Sequence, residues 1–197
     1  ARYEKLRFGF LDSIAGTFSF NRQNDGYIQQ GQRLSDSIAT DDSQVNARGY
    51  TGQATTHVGG RQAITFGGEV FDETVNSTRF VLNPVSRVTA QERALYPNGS
   101  RYTNSGLFVQ DGVQLFGNRL RLTGGLRYTH VGYRTEASRN LDRAGASLGV
   151  IDSKRSFQDV TFQTGVVWQA ASRFALLGNV SRGFRAAPPR AGERPHM

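Results

Sequence analysis

Between its glycines and turn residues the chain alternates apolar and polar side chains, a period of two that confines it to β-strands with one apolar and one polar face. No apolar stripe recurs at helical spacing. The clearest run is 119–137, where Leu120, Leu122, Leu126 and Tyr128 share one face and Arg119, Arg121, Thr123 and Arg127 the other. Further runs at 5–11, 14–22, 45–58, 62–73, 105–115, 157–169 and 173–185 bring the expectation to about eight strands. Their connections obey a second rule. Asp12-Ser13, Gly59-Gly60-Arg61, Phe116-Gly117-Asn118 and Ala170-Ala171-Ser172 read as tight turns, whereas 23–44, 74–104 and 138–156 read as long polar loops. Pro84 and Pro97 argue against a central strand within the second loop.

Short and long connections therefore alternate strictly. Such alternation suits an antiparallel up-and-down meander that crosses a membrane, with short turns at one rim and long loops at the other. The predicted fold is all-β, part of a transmembrane β-barrel. Composition agrees: a hydrophobic content of 37% and a mean hydropathy of -0.48 are low for a water-soluble core, yet 13 Phe and 7 Tyr are present. Few aliphatics with many aromatics fit a thin apolar shell. No run approaches the roughly 18 uninterrupted apolar residues of a membrane-spanning helix, and the N-terminal Ala1-Arg2-Tyr3-Glu4-Lys5 has no apolar signal core. Cysteine is absent, which removes disulfides and thiolate chemistry.

The net charge of +8 is carried almost entirely by Arg, with Lys only at 5 and 154. Basic balance of this size raises nucleic acid as a partner, but a nucleic-acid binder gathers its cations into a stripe with interleaved aromatics. Here Arg is spread over every strand and loop with acids between, so no nucleic acid is expected. One residue breaks the lipid-face pattern: Asp111 shares its face with Leu107, Val109, Val113 and Leu115, which predicts either a bulge or a less distinct apolar face.

The run Val180-Ser181-Arg182-Gly183-Phe184-Arg185-Ala186-Ala187-Pro188 resembles the Ser-x-Gly-Phe-Arg-Ala-Pro signature in the barrels of TonB-dependent outer-membrane receptors. Thr65-Phe66-Gly67-Gly68-Glu69, Leu107-Phe108-Val109-Gln110-Asp111 and Gly124-Gly125-Leu126-Arg127-Tyr128 look like three further stretches of the same barrel, so the resemblance spans about residues 4–186. It implies a bacterial outer-membrane location and a share in the uptake of a scarce ligand of the siderophore, haem or cobalamin class. It also implies outer-membrane lipid, an N-terminal plug and the remaining barrel strands as partners, with TonB engaged only through the plug. Set beside the family pattern, these 197 residues are expected to hold neither the plug, nor the TonB-contacting segment, nor the C-terminal strands that end in an aromatic residue, and the extra Ala187 interrupts the signature. By itself it is expected not to transport. Residues 1–186 are expected to form the partial barrel and 187–197 an unstructured tail, with His196-Met197 reading as a cloning remnant.

No site for catalysis is visible, and the chain is expected not to be an enzyme. Walker-type and Gly-x-Ser-x-Gly patterns are missing, and His57, His130 and His196 lack partners at zinc-like spacing, so no metal or cofactor is expected. Glu69 and Glu73 share a strand face and read as lumen residues; Asp36, Asp41 and Asp42 lack the spaced oxygens of a calcium loop. Candidate ligand contacts lie on the long-loop rim: Tyr27, Arg33, Arg79, Arg87, Tyr96, Arg101 and Tyr102. Arg forks onto carboxylate-rich or phosphate-rich ligands and Tyr stacks on flat ones. Two competing readings are a self-contained soluble barrel or sandwich with a binding role, and a small hydrolase.

Overall fold

The computed structural model describes residues 1–184. They form one antiparallel sheet from β1 (Arg2–Phe8), β2 (Leu11–Gln30), β3 (Ile38–Val58), β4 (Gln62–Leu82), β5 (Thr89–Glu92), β6 (Ser100–Leu115), β7 (Leu120–Thr135), β8 (Ser153–Ala171) and β9 (Phe174–Arg182). A single 3-10 turn, Ala137–Arg139, is the one helical element among the described residues. Strands pair in the order β1-β2-β3-β4-β6-β7-β8-β9, each with its neighbour in sequence except that the four-residue β5 folds back onto the end of β4. Eight strands thus make the meander. No helix among the described residues is long and apolar enough to cross a membrane, and crossing by strands is a separate matter.

Turns and loops alternate as expected, but the strands are longer. The first hairpin turns at Gly9-Phe10, three residues before the predicted Asp12-Ser13, because Gly9 supplies the left-handed φ of 63°. Most of 23–44, predicted as loop, is strand: Asp25 pairs with Ser43 and Gln30 with Ile38, leaving only 31–37 as the connection. Likewise β4 runs to Leu82, and 74–104 contains β5 and the start of β6; 138–156 contains the first residues of β8. These outer halves are mostly polar, with Ile28, Ile38, Phe80, Val81 and Leu82 gathered only at their far ends, so they carry no sustained period-two signal. They extend because pairing already set below is continued, reinforced by side-chain ladders such as Arg22 Nε to Asn46 Oδ1 (2.8 Å) and Gln44 Nε2 to Asn24 Oδ1 (2.9 Å).

The sheet has no core. Only Ala39, Ala54, Val131 and Val150 are buried apolar residues among those described, and no side chain is fully buried. A soluble sandwich of this size would bury an interior between two layers; here one layer stands alone with β1 and β9 as open edges, so the self-contained sandwich or closed barrel is not what forms. Apolar residues instead fill one face. The register line through Ile14, Ala54, Phe66, Val109, Leu126 and Phe162 crosses six strands without a polar residue. Phe18 and Tyr50 pack at 5.1 Å on the loop side of that line, while Trp168 and Phe174 lie beside the last short turn. Aromatics thus edge the band at both margins.

The band descends across the sheet. The first charged residue beyond it is Arg22 on β2 and Arg182 on β9, yet Arg182 lies on the register line of Ile14, eight residues before Arg22. Over six strand-to-strand steps, at about 3.3 Å per residue and 4.8 Å between strands, that is a slope of roughly 40°. Strands of an outer-membrane wall tilt by about 35–45°. The apolar girdle is level only if these strands are tilted as in such a wall.

Candidate functional site

Residue parity separates the two faces, because the ladders β2-β3-β4-β6-β7-β8 run without a bulge. Asp111 therefore faces outward with Val109 and Val113, so of the two expected alternatives there is no bulge and the apolar face is less distinct at this point. Its Oδ2 accepts a hydrogen bond from Gln62 Nε2 (2.7 Å), while Oδ1 is buried without a partner. Gly124, opposite Asp111, has open space where a Cβ would stand, leaving a notch of about 630 Å³ bordered by Val109, Leu122, Leu126 and Phe162.

The inner face is polar. Near mid-height, Thr55 and Thr65 join hydroxyls at 3.0 Å, and Arg127 forms an ion pair with Glu69 while its Nε donates to Thr129 Oγ1 at 3.3 Å. Glu69 is thereby committed to Arg127. Phe108 lies across Gly67, where a Cβ would come within 2.8 Å of the ring. Above them, Phe71, Val131 and Phe157 occupy one register line that also holds Asn104, and the next line up carries Glu73, Tyr102, Tyr133 and Arg155. Two tyrosines directly opposite each other over an apolar floor, with an acid and a base on the flanking strands, form a surface able to stack a flat ligand and meet its polar edge.

The rim candidates divide three ways. Tyr27 and Arg79 stand on one inner line with Asp41 and Glu92, and Tyr102 belongs to the tyrosine pair. Arg79 is held by Asp41, with Nη1 to Oδ2 at 3.2 Å, and approaches Glu92 at 3.8 Å, so two acids already engage it. Arg33, Arg87 and Tyr96 lie in connections, where the backbone N–H of Arg33 donates to Asp36 Oδ2 and Arg87 adopts a φ of 56°. Arg101 belongs to the opposite side of the wall, since it pairs with Thr74 and Arg134 and is clamped by Asp72 at 2.6 Å. Tyr133 was not legible as a site residue, because its meeting with Tyr102 depends on pairing between strands.

The long connections are anchored to each other. Asn140, only 4% exposed, accepts from the backbone N–H of Asn98 (2.8 Å) and donates through Nδ2 to the carbonyls of Asn98 (3.0 Å) and Glu136 (2.8 Å). Asn98 in turn accepts from Ser77 N–H at 3.1 Å and donates to the Arg139 carbonyl, and the Ser77 hydroxyl donates to the Tyr96 carbonyl. Connections 83–99 and 136–152 are thus tied together and to β4. Catalytic groups do not converge in this network, and at the short-turn end the His57 Nδ1 lies 3.0 Å from Asp12 Oδ2.

A single tilted layer, apolar outside and polar inside, with short turns at one rim and long connections at the other, is a section of an outer-membrane β-barrel wall. Residues 1–194 match the family model described as TonB dependent receptor-like, beta-barrel, and the chain belongs to that family. Among solved structures it is similar to the copper transporter OprC, with a TM-score of 0.66 at 14% identity over 91% of this chain and 29% of that one. It is also similar to the ferric citrate transporter FecA in its unliganded form, with a TM-score of 0.58 at 14% identity over 86% of this chain and 24% of that one. The chain thus spans less than a third of either transporter, and the likeness is one of fold. No curated protein sequence matches it.

Proposed function

We propose that this chain forms part of the ligand-gathering wall of an outer-membrane receptor that imports a scarce ligand. The observation that carries the reading is the division of one unbroken sheet into an apolar outer face and an inner face lined by Thr55, Thr65, Glu69 and Arg127. A lumen may be polar only where the wall is closed and lipid stays outside. The remaining strands close the barrel, a plug fills the lumen as in large outer-membrane transporters, and TonB engages that plug. The wall is supplied by the described residues 1–184; the end of the 1–186 segment and the tail at 187–197 lie outside the described residues.

The ligand meets Tyr27, Arg79, Tyr102 and Tyr133 on the inner wall, with Arg33, Arg87 and Tyr96 on the connections above. Stacking tyrosines and forked cations favour a flat, acid-bearing ligand, which includes siderophore complexes and haem. Import, not chemical conversion, is the role. Circular dichroism and gel mobility with and without boiling, in plain buffer and in detergent micelles, test the wall. Ordered sheet and heat-shifted mobility only in micelles support it; a compact monodisperse β-protein in buffer overturns it.

A further inference from the structure

Most acids of the inner wall are already engaged. Glu69 holds Arg127, Asp41 and Glu92 hold Arg79, Asp159 holds Arg182, and Asp25 accepts from the Gln23 amide at 2.9 Å. One register line is different. It carries Glu73, Tyr102 and Tyr133 on the neighbouring strands β4, β6 and β7. Glu73, half-buried, enters no hydrogen bond or ion pair among the described residues, and the phenols of Tyr102 and Tyr133 have no hydrogen-bond partner there either. By contrast, Tyr128 on the outer face donates to Gln158 at 2.9 Å. The floor below is apolar, with Phe71, Val131 and Phe157, and Val131 is buried. Asn104 interrupts that floor, and its Oδ1 is buried without a hydrogen-bond partner among the described residues.

A carboxylate, two phenols and an amide carbonyl therefore gather on one patch with no partner of their own. Residues directly opposite on neighbouring strands have Cβ atoms about 4.5–5.5 Å apart and point to the same side, close enough to share one cation. Donor type selects which. Soft metals want thiolate, thioether or imidazole, and the patch has none, since His130 faces outward and His57 lies at the short-turn rim. Calcium takes about 6–8 carboxylate and carbonyl oxygens, more than this patch holds. Phenolate is a hard, charged oxygen that suits ferric iron, as in tyrosinate-ligated haem. Charge agrees: two phenolates and one carboxylate cancel a trivalent ion, which leaves the patch neutral over its apolar floor. We infer that Glu73, Tyr102 and Tyr133 ligate ferric iron directly from one side, with Asn104 Oδ1 accepting a hydrogen bond from an iron-bound water. The inference rests on the reading of the inner face as ligand-facing. It narrows the ligand to a ferric complex whose chelator yields part of the coordination sphere. Binding exchanges three chelator or water oxygens for protein oxygens. Each phenol loses its proton to solvent as its Fe–O bond forms, and the iron stays ferric throughout.

The test titrates the full chain in neutral detergent micelles with ferric nitrilotriacetate, a labile carboxylate chelate. The unaltered chain is expected to develop the visible phenolate-to-iron charge-transfer absorption and to release about two protons per iron bound. Tyr102→Phe and Tyr133→Phe are each expected to weaken binding about a hundredfold, and together to abolish the absorption. Glu73→Gln is expected to keep the colour but bind at least about tenfold more weakly. The outer-face pair Tyr50→Phe, Tyr128→Phe should behave as the unaltered chain. Gallium(III) nitrilotriacetate should displace the colour, whereas zinc should not. Colour that persists without Tyr102 and Tyr133, or fades equally in the outer-face pair, overturns the site. So does displacement by zinc as readily as by gallium. An ordered, heat-shifted chain that stays colourless refutes the iron site alone and leaves the wall standing, whereas a chain that never orders in micelles refutes wall and site together.

Discussion

At the scale of single residues, the informative ones break the pattern of their face. Asp111 is acidic on an apolar surface, half paired with Gln62 and half unpaired. If that surface meets hydrocarbon, Asp111→Leu removes an unsatisfied polar group and fills part of the notch over Gly124, so it stabilises the micelle-bound sheet by about 1–3 kcal/mol. Urea unfolding from micelles reads this directly; a loss of stability would mean that the hydrogen bond from Gln62 outweighs the unsatisfied oxygen and that this part of the wall is not lipid-facing. Asn140 is the reverse case, a buried amide whose hydrogen bonds are all made within the long connections. Asn140→Ala is expected to loosen 83–99 without disturbing the band, at about 1 kcal/mol per hydrogen bond lost. Limited proteolysis should therefore cut near Leu95 at least tenfold faster, while heat-shifted gel mobility stays the same.

At the scale of elements, β2, β3 and β4 are each about twice as long as the 9–11 residues that cross a membrane. Their lower halves carry the apolar band and their upper halves project from it. The two halves are held by different forces: lipid burial below, and ladder hydrogen bonds with polar side-chain pairs above. It follows that replacing 26–42 by Asn-Gly, which joins the register partners Asp25 and Ser43 through a tight turn, should leave micelle insertion and sheet content per residue unchanged. Loss of heat-shifted mobility in that variant would show that the projecting halves help to hold the wall. The lower halves were legible because alternation against lipid writes itself into the residues. The upper halves were read as loops because water meets both their faces, and nothing in Asn24-Asp25-Gly26 or Asp41-Asp42 distinguishes a polar strand from a polar loop.

At the scale of the whole molecule, β1 and β9 leave rows of backbone groups unpaired among the described residues, and many large apolar side chains of the outer face are exposed, Leu107 at 65% and Val180 at 62% among them. Such edges and such a face associate in water. Sedimentation in plain buffer should show the isolated chain as polydisperse oligomers, collapsing toward a single species when detergent covers the outer face; a stable monomer in buffer would contradict a wall made to be closed by further strands. The same lack of a core explains why no substitution at the four buried apolar positions is expected to dominate stability: the apolar surface is meant for lipid, not for the chain itself.

The residues alone determined the strand character, the meander, the alternation of turns and loops and the apolar face, because each is a local consequence of period two and turn chemistry. They also placed Tyr27, Arg79 and Tyr102 near one rim. Only the tertiary structure decided which of those side chains look inward, since Arg101 and Tyr102 are neighbours in sequence and stand on opposite faces of the wall. It decided too that Glu73, Tyr102 and Tyr133 form one row, because register between strands sets which residues become neighbours, and register is a property of pairing that no single strand contains.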